Sequence, residues 1–171
     1  MSTVRKSDPL LTITQLLLRV GMAILVLGIV LAAGAAIAVM IVPDDDFIPK
    51  LAERTTQWWV FGAAALCAVM MTLYLFFVRH LSRIVATVGT GDPFQPENAD
   101  RLERMAWLTL ILQGCMIVLA PLATMIADRI GSTGGGLDIS FDSLLLALVL
   151  FVLARVFRRG TAMRDDLEGT V

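Results

Sequence analysis

Few side chains in this 171-residue sequence could carry out chemistry. His80 is the single histidine, so one chain cannot supply a metal site built from several histidines. Cys67 and Cys115 form no Cys-x-x-Cys motif, and buried thiols usually behave as small apolar side chains. No arrangement of serine, histidine and acidic residues typical of a hydrolase is present. We therefore expect no enzymatic activity, no metal centre and no cofactor.

Alternative roles remain for the histidine and the two thiols. Cys67 and Cys115 could form a redox or metal-binding pair if their two helices pack together. His80, at the end of a predicted apolar segment, could sense pH because the ordinary pKa of histidine is close to neutrality. We favour structural roles for all three side chains.

Three more polar side chains lie inside apolar segments or border them. Gln113 interrupts a long apolar run, and we expect it to form a hydrogen bond between helices, with a ligand contact as the alternative. Asp142 and Arg155 bound a shorter uncharged run. Charged residues within a membrane are candidates for a functional site, but these two lie near the ends of the predicted helix, where they can reach the headgroups.

The composition indicates which elements position these side chains. Hydrophobic residues make up 57% of the chain, charged residues 17%, and the mean hydropathy is +0.80. Soluble domains contain about 45–50% apolar and about 25% charged residues. The net charge of −1 also excludes a nucleic-acid binder that acts through net charge. The sequence therefore predicts an all-α integral membrane protein with a single domain over residues 1–171.

Four membrane-spanning helices are predicted. The first three contain uncharged runs of 21 to 23 residues, enough to cross a hydrocarbon core of about 30 Å at 1.5 Å per residue. The fourth has only twelve uncharged residues, Ser143–Ala154, and reaches the required length with a charge near each end. The predicted spans are residues 18–42, 57–78, 105–127 and 139–158.

The basic residues predict the orientation of these spans. The N-terminal segment, the second connection and the C-terminal tail carry 11 of the 14 lysines and arginines. By the positive-inside rule, both termini lie in the cytosol, and the fold is an antiparallel four-helix bundle. The second connection keeps a helical pattern to Val88, breaks at Gly89 and Gly91, and restarts at Pro96. We therefore expect a cytosolic helical hairpin between helices 2 and 3, supported by the i,i+4 pairs Glu97–Arg101 and Asp100–Arg104.

Small residues on the first helix predict a close helix contact. Gly28, Ala32 and Ala36 form a small-xxx-small stripe that lets a neighbouring helix approach, either within this chain or in a second copy. The predicted outer loops, Pro43–Gln57 and Asp128–Ser140, are too short for a domain. Their acidic residues do not match the spacing of a calcium-binding loop.

Two motifs resemble a known family. The first comprises Gly91–Asp92–Pro93–Phe94, Pro96–Glu97–Asn98–Ala99 and Arg101–Leu102. The second comprises Phe151–Val152–Leu153–Ala154, Phe157–Arg158–Arg159–Gly160 and Arg164–Val171. They resemble a bacterial four-helix membrane family known only as domain of unknown function 2975. Arg155 departs from the family pattern, which usually has an acidic residue there. The resemblance implies the bacterial cytoplasmic (inner) membrane, and a small cytosolic helix-turn-helix regulator as the partner. It supplies no catalytic residues.

These observations favour a membrane-anchored interaction protein that tethers or antagonises such a regulator and does not bind nucleic acid itself. The alternatives are a small-molecule or lipid sensor that uses Gln113, and a transporter subunit working as a homo-oligomer. No predicted span carries a charge at mid-bilayer, which argues against proton-coupled transport. The predicted partner-binding residues, called the docking surface below, are Gly91, Asp92, Pro93, Phe94, Pro96, Glu97, Asn98, Arg101, Arg158, Arg159, Arg164, Asp165, Asp166 and Glu168.

Overall fold

The computed structural model describes residues 9–41, 54–90, 93–131 and 141–168, and these segments form four α-helices. Gly91 and Asp92 lie outside the described residues, as do most of the two predicted outer loops and the side chains of Asp165, Asp166 and Glu168. The helices are α1 (Pro9–Ile41), α2 (Arg54–Thr90), α3 (Pro96–Ile130) and α4 (Asp142–Glu168).

Three of the helices are long and apolar enough to cross a membrane. They are α1, α2 and α3, with 33, 37 and 35 residues. At 1.5 Å per residue they measure about 50–55 Å, so α2 and α3 extend well beyond a hydrocarbon core of about 30 Å. Among the described residues, α4 is long enough with 27 residues but carries too many charged side chains to meet the same criterion, since Arg155, Arg158 and Arg159 lie close together. The fourth span therefore stays a prediction.

Each helix contacts its neighbours in sequence. Among the described residues, α1 contacts α2, α2 contacts α3, and α3 contacts α4. The small-residue stripe lies in the first of these contacts, because a Cβ built on Gly28 would lie 2.9 Å from Sδ of Met71, and Ala36 is buried. Near the start of α1, a Cβ on Gly89 would lie 3.8 Å from Cδ1 of Leu11. The neighbour of the stripe is therefore α2 of the same chain.

A buried apolar cluster lies where α2 leads into α3. Ile84 of α2, Leu102 and Met105 of α3, and Leu150 and Ala154 of α4 belong to one buried cluster. Within a bilayer the hydrophobic effect does not drive helices together, whereas in water it does. The concentration of buried residues near the α2–α3 connection therefore fits a position of this connection at or beyond the membrane surface. We call this part of the molecule, residues 81–90, 93–106 and 150–164, the loop end.

Candidate docking surface and intramembrane groove

Asn98 organises the loop end. Its side chain is completely buried (0% exposed), although it lies within the first turn of α3. Its Nδ2 donates hydrogen bonds to Oγ1 of Thr87 on α2, at 2.7 Å, and to the carbonyl oxygen of Pro93, at 2.9 Å. Its Oδ1 accepts a hydrogen bond of 2.6 Å from Nη1 of Arg101. One side chain thus joins α2, the connection and α3.

Because Asn98 is buried, its role in the docking surface is to hold the surrounding backbone in place rather than to contact a partner. Its backbone N–H also donates to the carbonyl oxygen of Gln95, at 3.0 Å, which closes the turn before Pro96. Four bonds at one residue fix the exit from the connection into α3. No pattern in the sequence indicates this burial, since an asparagine near the start of a helix is usually exposed or caps the helix.

Phe94 attaches the connection to α4. Its ring centroid lies 5.4 Å from that of Phe157, with a tilted geometry. It also covers Gly160, where an added Cβ would lie only 2.9 Å from Cδ1 of Phe94. A glycine is therefore needed in this turn of α4 for the ring to approach. Phe94 still exposes 44% of its surface, so an apolar face remains available to a partner.

Arg158 links α4 to the opposite edge of α3. Its Nη2 donates to Oδ1 of Asp100, at 3.1 Å, and to Oε2 of Glu103, at 2.7 Å. All three side chains are exposed, and ion pairs in water contribute little to stability. Asp100 and Arg101 thus have other partners than the predicted i,i+4 pairs. Arg101 donates to Asn98, and Asp100 accepts from Arg158 of α4.

The remaining predicted partner-binding residues occupy exposed positions. Pro96 and Glu97 are exposed at the start of α3, where an acidic side chain is favoured by the positive end of the helix dipole. Arg159 and Arg164 are exposed on α4. The loop end therefore combines a buried hydrogen-bond network with an exposed surface that carries charged side chains and also apolar ones, among them Val88, Phe94 and Met163.

A groove lies between the helices at the depth of the predicted spans. It has a volume of about 270 Å³ and is lined by residues of α2, α3 and α4. Oγ of Ser143 on α4 donates a hydrogen bond to Oε1 of Gln113 on α3 at its edge, which is the interhelical bond expected from the sequence. The other lining residues are Met70, Tyr74, Phe77, Thr109, Leu112, Met116 and Leu146.

The other polar candidates are dispersed. Asp142 and Arg155 are exposed and lie thirteen positions apart on α4, which is about 20 Å of helix. Cys67 and Cys115 are half-buried free thiols. Within the segments that the structure describes, no group of three or more histidine, cysteine or acidic residues could hold a metal ion.

Comparison with known proteins identifies the family of the chain. The family model described as "Protein of unknown function (DUF2975)" matches residues 45–171, which contain α2, α3 and α4. No curated protein and no solved structure matches the chain. Since the match covers well over half of the sequence, the chain belongs to the DUF2975 family.

Proposed function

We propose that the chain is an antiparallel bundle of four membrane-spanning helices with both termini in the cytosol of a bacterium, in its cytoplasmic membrane. The distribution of lysine and arginine supports this orientation. The contacts of Gly89 with Leu11 and of Gly28 with Met71 fit antiparallel α1 and α2. For the fourth span, support comes from the exposed apolar side chains of α4, such as Leu145 (64%) and Val152 (56%), which would be costly in water.

The function that the geometry supports best is docking of a cytosolic protein at the loop end. The observation that carries this proposal is the Asn98 network, which holds the connection, α2 and α3 together as one unit beyond the apolar segments. α2 extends twelve residues past Val78, about 18 Å of helix. A surface that is already ordered loses little conformational entropy when a partner binds.

The partner class comes from the family resemblance, which implies a small helix-turn-helix regulator. Binding at the membrane would remove such a regulator from its operator by mass action. The exposed Arg159 and Arg164 and the apolar face of Phe94 would provide the contacts. Charged rim residues mainly set the rate and specificity of association, while a buried aromatic side chain contributes more to affinity.

The test is purification of the tagged full-length protein from its own membrane in mild detergent, followed by identification of bound proteins. Phe94→Ala and a chain that lacks Arg164–Val171 are compared with the unmodified protein. We expect one small DNA-binding protein that is lost in both variants. The matched control is Phe76→Ala, which removes an exposed phenyl ring from α2 within its predicted span. The proposal fails if no DNA-binding protein is recovered, or if Phe76→Ala releases it as readily as Phe94→Ala does.

The groove at Gln113 favours a second candidate function, sensing of a small apolar molecule or a lipid. Its mostly apolar walls with a few polar side chains, among them the bonded pair Gln113 and Ser143, are typical of a ligand site. If a ligand binds here, it raises the thermal unfolding midpoint of the protein, and Gln113→Leu removes that increase. Ile111→Leu, an exposed position elsewhere on α3, is the control and leaves the increase intact. A midpoint increase that persists in Gln113→Leu would exclude this site.

A further inference from the structure

Five basic side chains come together where α2 and α3 leave the apolar segments. Arg79, His80 and Arg83 belong to α2, and Arg101 and Arg104 to α3. Arg79 directly follows the uncharged run of α2, and Arg104 directly precedes that of α3. The cluster therefore lies at the depth where a bilayer presents its headgroups.

The packing beneath the cluster fixes the relation of the two helices. Leu81 and Ile84 of α2 meet Leu102 and Met105 of α3 in the buried cluster of the loop end. One turn further along α2, the hydrogen bond from Asn98 to Thr87 adds a polar connection at 2.7 Å. The basic side chains are thus carried by a rigid pair of helices rather than by a flexible tail.

The imidazole of His80 lies at the centre of this arrangement. The guanidinium groups of Arg79, Arg83, Arg101 and Arg104 all act on it electrostatically. Its Nδ1 is buried and has no hydrogen-bond partner among the described residues. Four like charges around one polar side chain repel one another, and an anion would relieve that repulsion.

The nearby carboxylates leave this charge uncompensated. Asp100 and Glu103 both accept hydrogen bonds from Arg158 of α4, and Asp100, although it precedes Arg104 by one turn of α3, forms no ion pair with it among the described residues. Within the described segments, Arg79, Arg83 and Arg104 have no ion-pair or hydrogen-bond partner. Glu97 lies on the same edge as Arg101 but is exposed and does not pair with it.

We propose that this cluster binds the phosphate of an anionic phospholipid headgroup between α2 and α3. Guanidinium groups match the geometry of phosphate oxygens, and basic pockets between membrane helices are a recurrent means of holding lipid headgroups. The position of Arg79 and Arg104 at the ends of the apolar segments favours a lipid over a soluble phosphate, because the acyl chains can then run along the exposed apolar surface of α2 and α3. This inference is independent of the proposed protein partner.

The test is native mass spectrometry of the full-length protein in mild detergent, titrated with phosphatidylglycerol or with phosphatidylcholine of the same acyl chains. A third titration uses inorganic phosphate. We expect phosphatidylglycerol to bind more tightly than phosphatidylcholine. Arg83→Gln and Arg104→Gln should each weaken phosphatidylglycerol binding about fivefold, as expected for loss of one charge near a membrane surface.

The matched control is Arg19→Gln. Arg19 is an exposed arginine on α1, and the contacts at Gly28 and Gly89 that bracket it place it at about the level of His80. It does not belong to the charges that act on His80. Arg19→Gln removes one positive charge at about the same depth as Arg83→Gln and Arg104→Gln do. Because Arg19 does not belong to the cluster, phosphatidylglycerol binding should stay unchanged.

Three outcomes would overturn the proposal. Equal binding of the two lipids would show that the cluster does not recognise an anionic headgroup. An equal loss in Arg19→Gln would show that only diffuse charge attracts the lipid. Binding of inorganic phosphate as tight as that of phosphatidylglycerol would assign the site to a soluble anion. If Arg83→Gln fails to fold, Arg104→Gln and Arg104→Lys carry the test, since lysine keeps the charge and should retain part of the affinity.

Discussion

Replacing Asn98 by leucine should open the loop end locally. Leucine has a similar volume but none of the three side-chain hydrogen bonds, which measure 2.6 to 2.9 Å. A buried neutral hydrogen bond contributes about 1 kcal/mol to stability. We assign the same value to the bond with Arg101, because this guanidinium is half-exposed and can form hydrogen bonds with water when Asn98 is absent. The expected cost is about 3 kcal/mol for opening the connection between α2 and α3.

Hydrogen exchange of the backbone amides, measured by mass spectrometry on the protein in lipid nanodiscs, reports this opening directly. A cost of about 3 kcal/mol corresponds to a loss of protection of about 100-fold in the amides of residues 98–101. Thr87→Val removes the acceptor of the Asn98 bond and also the bond of 2.7 Å that Oγ1 of Thr87 donates to the carbonyl oxygen of Ile84, so it should cost about two thirds as much. The double variant should cost less than the sum of the two single variants, because both remove the same bond.

Glu97→Gln is the control for this experiment. Its side chain is adjacent to Asn98 in sequence but exposed, so the substitution removes only the favourable interaction with the helix dipole, about 0.5 kcal/mol, and should lower protection only about twofold. The reasoning is refuted if Asn98→Leu keeps the protection of residues 98–101, or if Glu97→Gln reduces it equally. Protection within the apolar part of α3 should stay constant in all variants, because its contacts are unaltered.

Substitutions at three further positions have measurable outcomes in thermal unfolding. Gly160→Ala should lower the thermal unfolding midpoint despite the higher helix propensity of alanine, because the added Cβ would lie 2.9 Å from the ring of Phe94. In a chain that already carries Phe94→Ala, the same substitution should raise the midpoint. Gly28→Ile should destabilise the α1–α2 contact by about 2 kcal/mol. Gly28→Ala should cost less than about 1 kcal/mol, because the flexible thioether of Met71 can move aside for one methyl group. Equal effects of the two substitutions would contradict this. Arg158→Gln should lower the thermal unfolding midpoint in dilute buffer, because it removes the ion pairs with Asp100 and Glu103. At about 1 M salt, where the Debye length is about 3 Å, the substitution should have no effect. An effect that persists at high salt would contradict the interpretation as exposed ion pairs.

The helices could be predicted from sequence because a long uncharged segment in a bilayer satisfies its backbone hydrogen bonds as an α-helix. Breaks at Gly89 and Gly91, with Pro96 at the next helix start, likewise predicted where α2 gives way to α3. Gln113 was expected to form an interhelical bond because a polar amide inside a span needs a partner, and Ser143 provides it. These inferences use local chemistry only.

The details of the loop end could not be predicted, because they depend on how distant segments meet. Arg158 and Glu103 are 55 residues apart, and no periodicity relates them. Phe94 and Phe157 come together only once the register of α3 against α4 is fixed. The burial of Asn98 has the same origin, since it depends in part on Thr87 of another helix.

The order of helix contacts has a consequence for biosynthesis. Each described helix touches only the helices before and after it in the chain, so each one can find its partner among segments that have just entered the membrane. Each helix can therefore pack on the preceding one as soon as it has entered the membrane, and contacts between sequence neighbours favour rapid folding. Among the described residues α1 contacts only α2, and it lies outside the region matched by the family model, so changes in α1 should leave the α2–α3 and α3–α4 contacts in place.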